Sequence, residues 1–289
     1  MGTYSIESIK ALEKKSIVHR RLLLNMIVNA NAGHTGGSLS CVDLLNVLYN
    51  HVMDIRPDNF SDIDRDHYIH SKGHSVEALY AVLGERGFYD IEELERVEQY
   101  DSDFIGHPTR KVPGIEQNTG ALGHGLSVAV GMALAAKKDG RKNRVFTIMG
   151  DGELTEGSIW EAAASASHYH LDNLVAIIDR NTLQISGNTE DVMAMEPLEE
   201  KFSAFGFTIQ HVDGHSIQDL IKVFDGLPFE KGKPNLVIAH TVKGKGISYI
   251  ENKVDWHHHV PSEEEYRQAI LELDEAEEIL EKPCVHEYE

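Results

Sequence analysis

An aspartate between two glycines, Asp151 in the stretch "MGDGELTEGSIWEAA", follows directly after the apolar run "VFTI". Glycines permit a positive φ and a close approach of backbone to a ligand. The residues after them read as a helix that Thr155 or Ser158 would cap. A helix N-terminus at the carboxyl end of a strand binds phosphate, and a cation between phosphate and carboxylate would explain the aspartate. The alternative is an ordinary strand-to-helix turn.

A second polar side chain, Asn181, follows another apolar run in the stretch "IIDRNTLQIS". If the strands before Asp151 and Asn181 are neighbours, the two side chains meet at the carboxyl edge of a sheet. A carboxylate, an amide oxygen, a backbone carbonyl and diphosphate oxygens form the hard, octahedral oxygen set that suits Mg²⁺. The sequence therefore predicts a metal-bridged diphosphate site at this edge.

Four short runs rich in β-branched residues must position these side chains. They are "RVFTIMG", "NLVAIID", "FTIQHVDG" and "PNLVIAHT", and helical stretches separate them. This alternation predicts an α/β fold with a mostly parallel sheet and helices on both of its faces. No internal repeat or low-complexity linker interrupts the pattern, so we expect residues 1–289 to form a single domain.

Other stretches are expected to surround this sheet. Residues 4–30 read as one long helix whose second half is buried, and "NAGHTGGSLS" reads as a glycine-bearing loop. Ser40 is expected to cap a helix that ends near residue 53. Residues 98–120 lack periodicity and are expected to form a long, functional loop. The acidic tail from Glu263 keeps apolar residues at helical spacing, which predicts a solvated surface helix.

The composition excludes several classes of protein. The chain of 289 residues carries a formal net charge of −20, which argues against nucleic acid or an anionic membrane as a partner. Cys41 and Cys284 are isolated, so neither a zinc knuckle nor a disulfide framework is indicated. No apolar signal core and no apolar run of membrane-spanning length occurs, so we expect a cytoplasmic protein.

Six ordered motifs resemble the transketolase family over nearly the whole chain. They are "GHTGGSLS", "SKGHSVEALYAVL", "GHPTR", "PGIEQNTGALGHGLSVAVGMA", "GDGELTEGSIWEAA" and "DRNTLQISG". The GDG triplet with an asparagine thirty positions later is also the diphosphate–metal signature of thiamine diphosphate enzymes. The resemblance implies transfer of a two-carbon ketol unit from a ketose phosphate to an aldose phosphate, with thiamine diphosphate and Mg²⁺ as cofactors.

The resemblance also implies which residues hold the metal and the diphosphate. Asp151, Asn181 and the backbone carbonyl of Leu183 would bind Mg²⁺, and Asn181 would also contact the cofactor. Gly152 and His74 would contact the diphosphate.

Other residues would border the cofactor rings or a subunit contact. Gly120 and Leu122 match residues that line the aminopyrimidine and thiazolium rings. Glu156 matches an acidic residue that links paired active sites across the subunit interface of the family. The sequence departs from the family at Ala121, where proline or serine is usual, and at His124, where glutamine is usual.

Three loop histidines, His34, His74 and His107, match residues that face the substrate in the family. Cleaving the C2–C3 bond of a ketose requires removing a proton from the C3 hydroxyl, and neutral imidazoles with a pKa of about 6.5 can take or return it. A late histidine of the family, which reaches the diphosphate and the reacting centre, corresponds to His257, in "VDWHHHVPSEEEY", or to its neighbour His258. The glycine that follows this histidine in the family is absent here.

The regions that complete a full-length transketolase have no counterpart in this sequence. In the family they carry the glutamate that activates the aminopyrimidine and the arginines that hold the substrate phosphate. The resemblance therefore implies the N-terminal subunit of a split transketolase, which self-associates and recruits a C-terminal subunit into an α₂β₂ heterotetramer of carbohydrate metabolism. Two alternatives remain open: a subunit resembling 1-deoxyxylulose-5-phosphate synthase or a 2-oxoacid dehydrogenase, or a non-catalytic regulatory subunit.

Overall fold

Five parallel strands form the centre of the computed structural model, which describes residues 5–282. The strands are β1 (His67–His70), β2 (Val145–Gly150), β3 (Leu174–Arg180), β6 (Thr208–Asp213) and β7 (Asn235–His240), in the spatial order β1-β2-β3-β7-β6. Two short strands, β4 (Leu183–Gln184) and β5 (Gly187–Asn188), pair antiparallel just after β3. The predicted parallel α/β sheet is confirmed.

The register of the two central strands brings their last residues together. Gly150 of β2 lies opposite Asp179 of β3, so Asp151 and Arg180 come next to each other at the carboxyl edge. Every residue of β3 is buried, as expected for a strand covered on both faces. The prediction that the strands before Asp151 and Asn181 are neighbours is therefore confirmed.

Helices cover both faces of the sheet. They are α1 (Ile6–Ala30), α2 (Thr35–Val47), α3 (Val76–Glu85), α4 (Gly125–Lys138), α5 (Gly157–His168), α6 (Thr189–Met193), α7 (Leu198–Ala204), α8 (Ile217–Asp225) and α9 (Glu263–Glu281). Helices α1, α2, α3, α8 and α9 contribute to one apolar core, and α4, α5 and α7 contribute to the second. Each core fills the space between one face of the sheet and its helices.

The two terminal helices follow the sequence prediction. In α1, Leu23, Leu24 and Ile27 are fully buried, which confirms the buried second half; Tyr4 lies outside the described residues. In α9, Ala269 and Leu273 are buried and the other residues are exposed or partly exposed, and Ser262 begins the helix with a capping box. The predicted surface helix is confirmed.

The long loop before α4 is also confirmed, since residues 97–124 contain no helix or strand. Cys41 is a buried free thiol, and Cys284 lies outside the described residues. Among the helices between residues 5 and 282, none is both long enough and apolar enough to cross a bilayer.

The start of α2 differs from the prediction. The helix begins directly after His34, so Ser40 lies inside it and is not its cap. The Ser40 hydroxyl donates instead to the Asp179 carboxylate at 2.6 Å. The paired glycines suggested a loop because of their low helix propensity, but Gly36 serves close packing: a Cβ there would lie 2.8 Å from the carbonyl oxygen of Trp256.

The turn after β2 differs as well. Gly150 and Gly152 have no positive φ, so the conformational reason we gave for them is wrong. A short 3₁₀ turn from Gly152 to Thr155 precedes α5, whose N-cap position is Glu156. Thr155 donates to a carbonyl inside that turn and Ser158 donates to a carbonyl of a neighbouring loop, so neither caps the helix.

Candidate functional site

A cavity of about 340 Å³ lies at the carboxyl edge of the sheet. The glycine-flanked turn after β2, the β4–β5 hairpin and the loops after β1 and β7 form its walls. Among the predicted site residues, those that line it are His34, His74, Gly120, Leu122, Asp151, Gly152, Asn181, Leu183 and His257. The fold thus brings most of the predicted site together from six separate stretches of sequence.

Hydrogen bonds to both carboxylate oxygens fix the side chain of Asp151. Its Oδ1 accepts from the Gly152 backbone N–H at 2.8 Å, and its Oδ2 accepts from Arg180 at 2.9 Å and from the Thr182 backbone N–H at 2.6 Å. Burial and the neighbouring Asp179 carboxylate raise the pKa of Asp151, although Arg180 opposes this. Oδ1 thus has a single hydrogen-bond partner among residues 5–282, which leaves it acceptor capacity for a cation.

The two other proposed metal ligands lie beside this carboxylate. The side-chain oxygen of Asn181 accepts from the Leu183 backbone N–H at 3.1 Å, and the Leu183 carbonyl lies 3.3 Å from Nζ of Lys243. Between residues 5 and 282, no group of three or more His, Cys, Asp or Glu side chains is arranged to hold a metal. A cation here would therefore need neutral protein oxygens and ligand oxygens in addition to Asp151.

Two buried lysines that we did not predict, Lys72 and Lys243, also line the cavity. Lys72 forms an ion pair with Asp179 and donates to the Gly37 carbonyl at 2.9 Å. Burial, with a contribution from Lys72, lowers the pKa of Lys243 to about 8. Each lysine follows a strand within three residues, as Asp151 does, so both could have been predicted from their positions at strand ends. The Lys243 ammonium group, which forms no ion pair with a carboxylate among residues 5–282, suits an anionic ligand.

Lys243 also orients one of the histidines. Its Nζ lies 2.7 Å from Nδ1 of His257, and because an ammonium group only donates, Nδ1 accepts. A neutral His257 therefore carries its proton on Nε2.

Two glycines that line the cavity leave room for neighbouring histidine rings. A Cβ on Gly37 would lie 3.4 Å from Nε2 of His74. Gly120 has a φ of 141°, and a Cβ there would lie 2.7 Å from Cδ2 of His107. Only glycine fits at position 120, where the backbone passes between the cavity and the His107 ring.

Five imidazole rings form one cluster, with His34 at its centre. Ring centroids lie 4.6 Å from that of His34 for His258, 5.3 Å for His74, 5.7 Å for His257 and 6.2 Å for His107. Burial lowers the pKa of His34 to about 4 and that of His257 to about 3, and it lowers the pKa of His74 as well. These three rings are therefore neutral near pH 7 and can each accept and donate a hydrogen bond.

Not every predicted residue reaches the cavity. His107 is half-buried behind Gly120, and Glu156 is exposed at the start of α5 outside the cavity. Of the two late histidines, His257 lines the cavity and stacks on His74, whereas His258 is exposed with its ring against His34. The roles expected of these residues stay predictions.

A buried carboxyl group, that of Glu153, holds the loop that carries Leu122. Its Oε1 accepts from the Gly123 backbone N–H at 2.9 Å and its Oε2 from the Gly150 backbone N–H at 3.0 Å. Burial raises its pKa. The carboxyl group thereby ties the end of β2 to the loop on the far side of the cavity.

Comparison with protein families gives one match over most of the chain. A family profile described as "Transketolase, thiamine diphosphate binding domain" matches residues 12–275. The chain is 48% identical to one of the subunits of the apulose-4-phosphate transketolase of Phocaeicola vulgatus, covering 95% of this chain and 98% of that protein. It is 40% identical to 6-deoxy-6-sulfo-D-fructose transketolase subunit SqwG of Clostridium sp., covering 91% and 96%.

Solved structures show the same fold. The transketolase of Campylobacter jejuni superposes with a TM-score of 0.82 at 30% identity, covering 96% of this chain and 48% of that chain. The chain thus spans nearly the whole length of the two subunit relatives but less than half of the solved transketolase chain.

Proposed function

This chain belongs to the transketolase family, and we propose that it is the diphosphate-binding subunit of a split transketolase that is active with a separate C-terminal subunit. The near-complete coverage of two relatives that are named as transketolase subunits supports this. Identity to these subunits at 40–48% favours a ketol transferase over the other thiamine diphosphate enzymes considered above.

The observation that carries the proposal is the set of groups around the cavity. Asp151, Asn181 and Leu183 line one cavity together with two buried lysines, Lys72 and Lys243. This donor set fits a diphosphate held through Mg²⁺: hard oxygens for the cation and positive charge for the phosphates. Gly152 and His74 line the same cavity and would contact the diphosphate.

Thiamine diphosphate, when bound, would supply the carbanion stabilisation that ketol transfer requires. Gly120 and Leu122 would border its rings. The neutral imidazoles of His34, His74 and His257 would bind the sugar hydroxyls and move the proton of the C3 hydroxyl, and His107 would assist from behind Gly120.

The substrates we propose are sugar phosphates: a ketose donor and an aldose acceptor. The second subunit would cover the open side of the cavity and supply the groups that bind the substrate phosphate. Glu156, exposed at the start of α5, would take part in a contact between two copies of this chain.

A ketol-transfer assay with ketose and aldose phosphates tests the proposal, using this chain with and without its C-terminal subunit. We expect transfer by the mixture with thiamine diphosphate and Mg²⁺, and no transfer by either component on its own. An assembled complex that binds the cofactor but transfers no ketol unit between any such pair would contradict the proposed activity.

A further inference from the structure

A buried carboxyl group outside the cavity, that of Glu77, has no part in the chemistry proposed above. Glu77 lies in the first turn of α3 and is only 2% exposed. It takes part in none of the ion pairs formed between residues 5 and 282. Burying a carboxyl group costs free energy unless hydrogen bonds compensate for the lost contact with water. The hydrogen-bond partners of Glu77 therefore show which part of the structure it stabilises.

Both oxygens of Glu77 bind the first turn of α2. Oε1 accepts from the backbone N–H of His34 at 3.1 Å, and Oε2 accepts from the hydroxyl of Ser38 at 2.7 Å. The backbone N–H of Ser38 in turn donates to the His34 carbonyl at 3.0 Å. The carboxyl group therefore joins the two ends of a single helical turn.

Gly33, the residue before His34, leaves room for this contact because it has no side chain. Gly33 has a φ of 144°, and a Cβ there would lie 2.7 Å from Oε1 of Glu77. The side chain of His34 makes no cap hydrogen bond of its own at the N-cap position of α2. Glu77 thus supplies, from a neighbouring helix, the anchoring that a cap side chain usually gives.

We propose that Glu77 is a positioning residue that holds the first turn of α2, and with it the imidazole of His34, in the geometry of the site. His34 is the ring around which His74, His107, His257 and His258 are grouped, so a shift of this turn displaces the centre of the cluster. The catalytic consequence rests on the proposed function, but the anchoring of the turn does not.

Hydrogen exchange measured by mass spectrometry on the isolated chain tests the anchoring. Glu77→Leu removes both acceptors, and we expect exchange in peptides spanning residues 33–38 to become at least about tenfold faster. Glu77→Gln keeps one acceptor for His34 and a polar partner for Ser38, so it should exchange like the wild type. Glu85→Leu removes a carboxyl group from the other end of α3 and should leave residues 33–38 unchanged.

An unchanged exchange rate of residues 33–38 in folded Glu77→Leu would overturn the proposal. If that variant fails to fold, Ser38→Ala decides: it removes one of the two hydrogen bonds, and faster exchange of the turn supports the proposal while wild-type exchange overturns it.

Kinetics of the assembled enzyme separate positioning from a merely structural role. We expect Glu77→Leu to lower kcat per bound thiamine diphosphate about tenfold to a hundredfold with little change in KM, because a misplaced His34 affects the reaction more than binding. Glu77→Gln should keep the kcat of the wild type. An unchanged kcat in Glu77→Leu would contradict the positioning role. If the wild-type assembly transfers no ketol unit, the proposed function fails and the exchange data still decide whether Glu77 anchors the turn.

Discussion

His74 and His107 both lie near His34, but His74 lines the cavity and His107 does not, and this predicts different consequences of removing them. His107→Ala should lower kcat/KM for the ketose donor by about 10²–10⁴-fold, the range for one general acid–base group, with cofactor affinity preserved. His74→Ala should also weaken thiamine diphosphate binding, because His74 lines the cavity beside Gly37.

Steady-state kinetics and equilibrium cofactor titration of the assembled enzyme measure both effects. His168→Ala, at the end of α5, is the matched control because His168 is exposed and lies outside the cavity. Turnover by His107→Ala at the wild-type rate would show that its assigned role is wrong.

Two glutamates of α3 should affect stability with opposite dependence on pH. Burial raises the pKa of Glu77 from 4.5 to about 7, and the Glu98 carboxylate adds to this against the hydrogen bonds from Ser38 and His34. A folded-state pKa above the unfolded value means that stability falls as pH rises from about 4.5 through about 7. The neighbouring His19 ring and the Lys15 ammonium group lower the pKa of Glu85 to about 2, so its contribution is present at neutral pH.

Thermal unfolding of the chain between pH 5 and pH 8 checks this pair. As pH rises, the Tm of Glu77→Gln should increase relative to the Tm of the wild type, because glutamine stays neutral whereas Glu77 ionises. Glu85→Gln should be less stable than the wild type across the same range. A Tm difference between Glu77→Gln and the wild type that does not change with pH would refute the ionisation of Glu77 in the folded state.

The strand-end residues of the site could be predicted because they depend on local patterns. Apolar β-branched runs mark the strands, and the residue after each strand reaches the carboxyl edge whatever the rest of the fold does. Asp151 and Asn181 were found in this way, and Lys72 and Lys243 obey the same rule. Glu77 could not be found, since its contact with His34 depends on how α3 packs against α2.

The start of α2 is a helical turn that the local sequence pattern wrongly predicted to be a loop. Gly36 and Gly37 indicated a loop, yet both lie in the first turn of a buried helix. A Cβ on Gly36 would lie 2.8 Å from the backbone oxygen of Trp256, whereas a Cβ on Gly37 would meet only the His74 ring at 3.4 Å. Packing against the segment that carries His257, and not a need for flexibility, explains the glycine at position 36.

Alanine substitutions at these adjacent positions should therefore differ. Gly36→Ala should lower the free energy of unfolding by about 1–3 kcal/mol, the usual cost of overpacking. Gly37→Ala should cause no comparable loss, because its new methyl group meets a side chain that can adjust. Chemical denaturation of both variants measures the difference, and equal stability of the two would contradict this explanation of the glycine pair.

At the scale of the whole molecule, the face formed by α4 and α5 is the expected contact between two copies of the chain. The helices pack side by side, and Gly131, Glu156 and Glu161 are exposed. Small residues let two backbones approach closely, although each helix also packs on the sheet along its buried side. We expect a homodimer that recruits two C-terminal subunits, with a cofactor site at each junction.

Light scattering coupled to gel filtration measures this assembly. The expected result is an active complex with two copies of each subunit. Gly131→Trp would place a large side chain on the exposed surface of α4 and should separate the copies, while Ile63→Trp, at an exposed loop before β1, should not. An active complex that contains one copy of this chain would contradict the proposed arrangement.

In the proposed site, oxygens at the carboxyl edge of the sheet hold a diphosphate through a divalent cation. A crystal structure of the assembled enzyme with thiamine diphosphate and Mn²⁺, which suits the same oxygen ligands as Mg²⁺, tests it through the anomalous signal of the metal. We expect one peak at a coordination distance of about 2.1 Å from oxygens of Asp151, Asn181 and Leu183, and loss of that peak in Asp151→Ala. Cofactor bound in the cavity with no metal at these oxygens, or a peak that persists in Asp151→Ala, would contradict it.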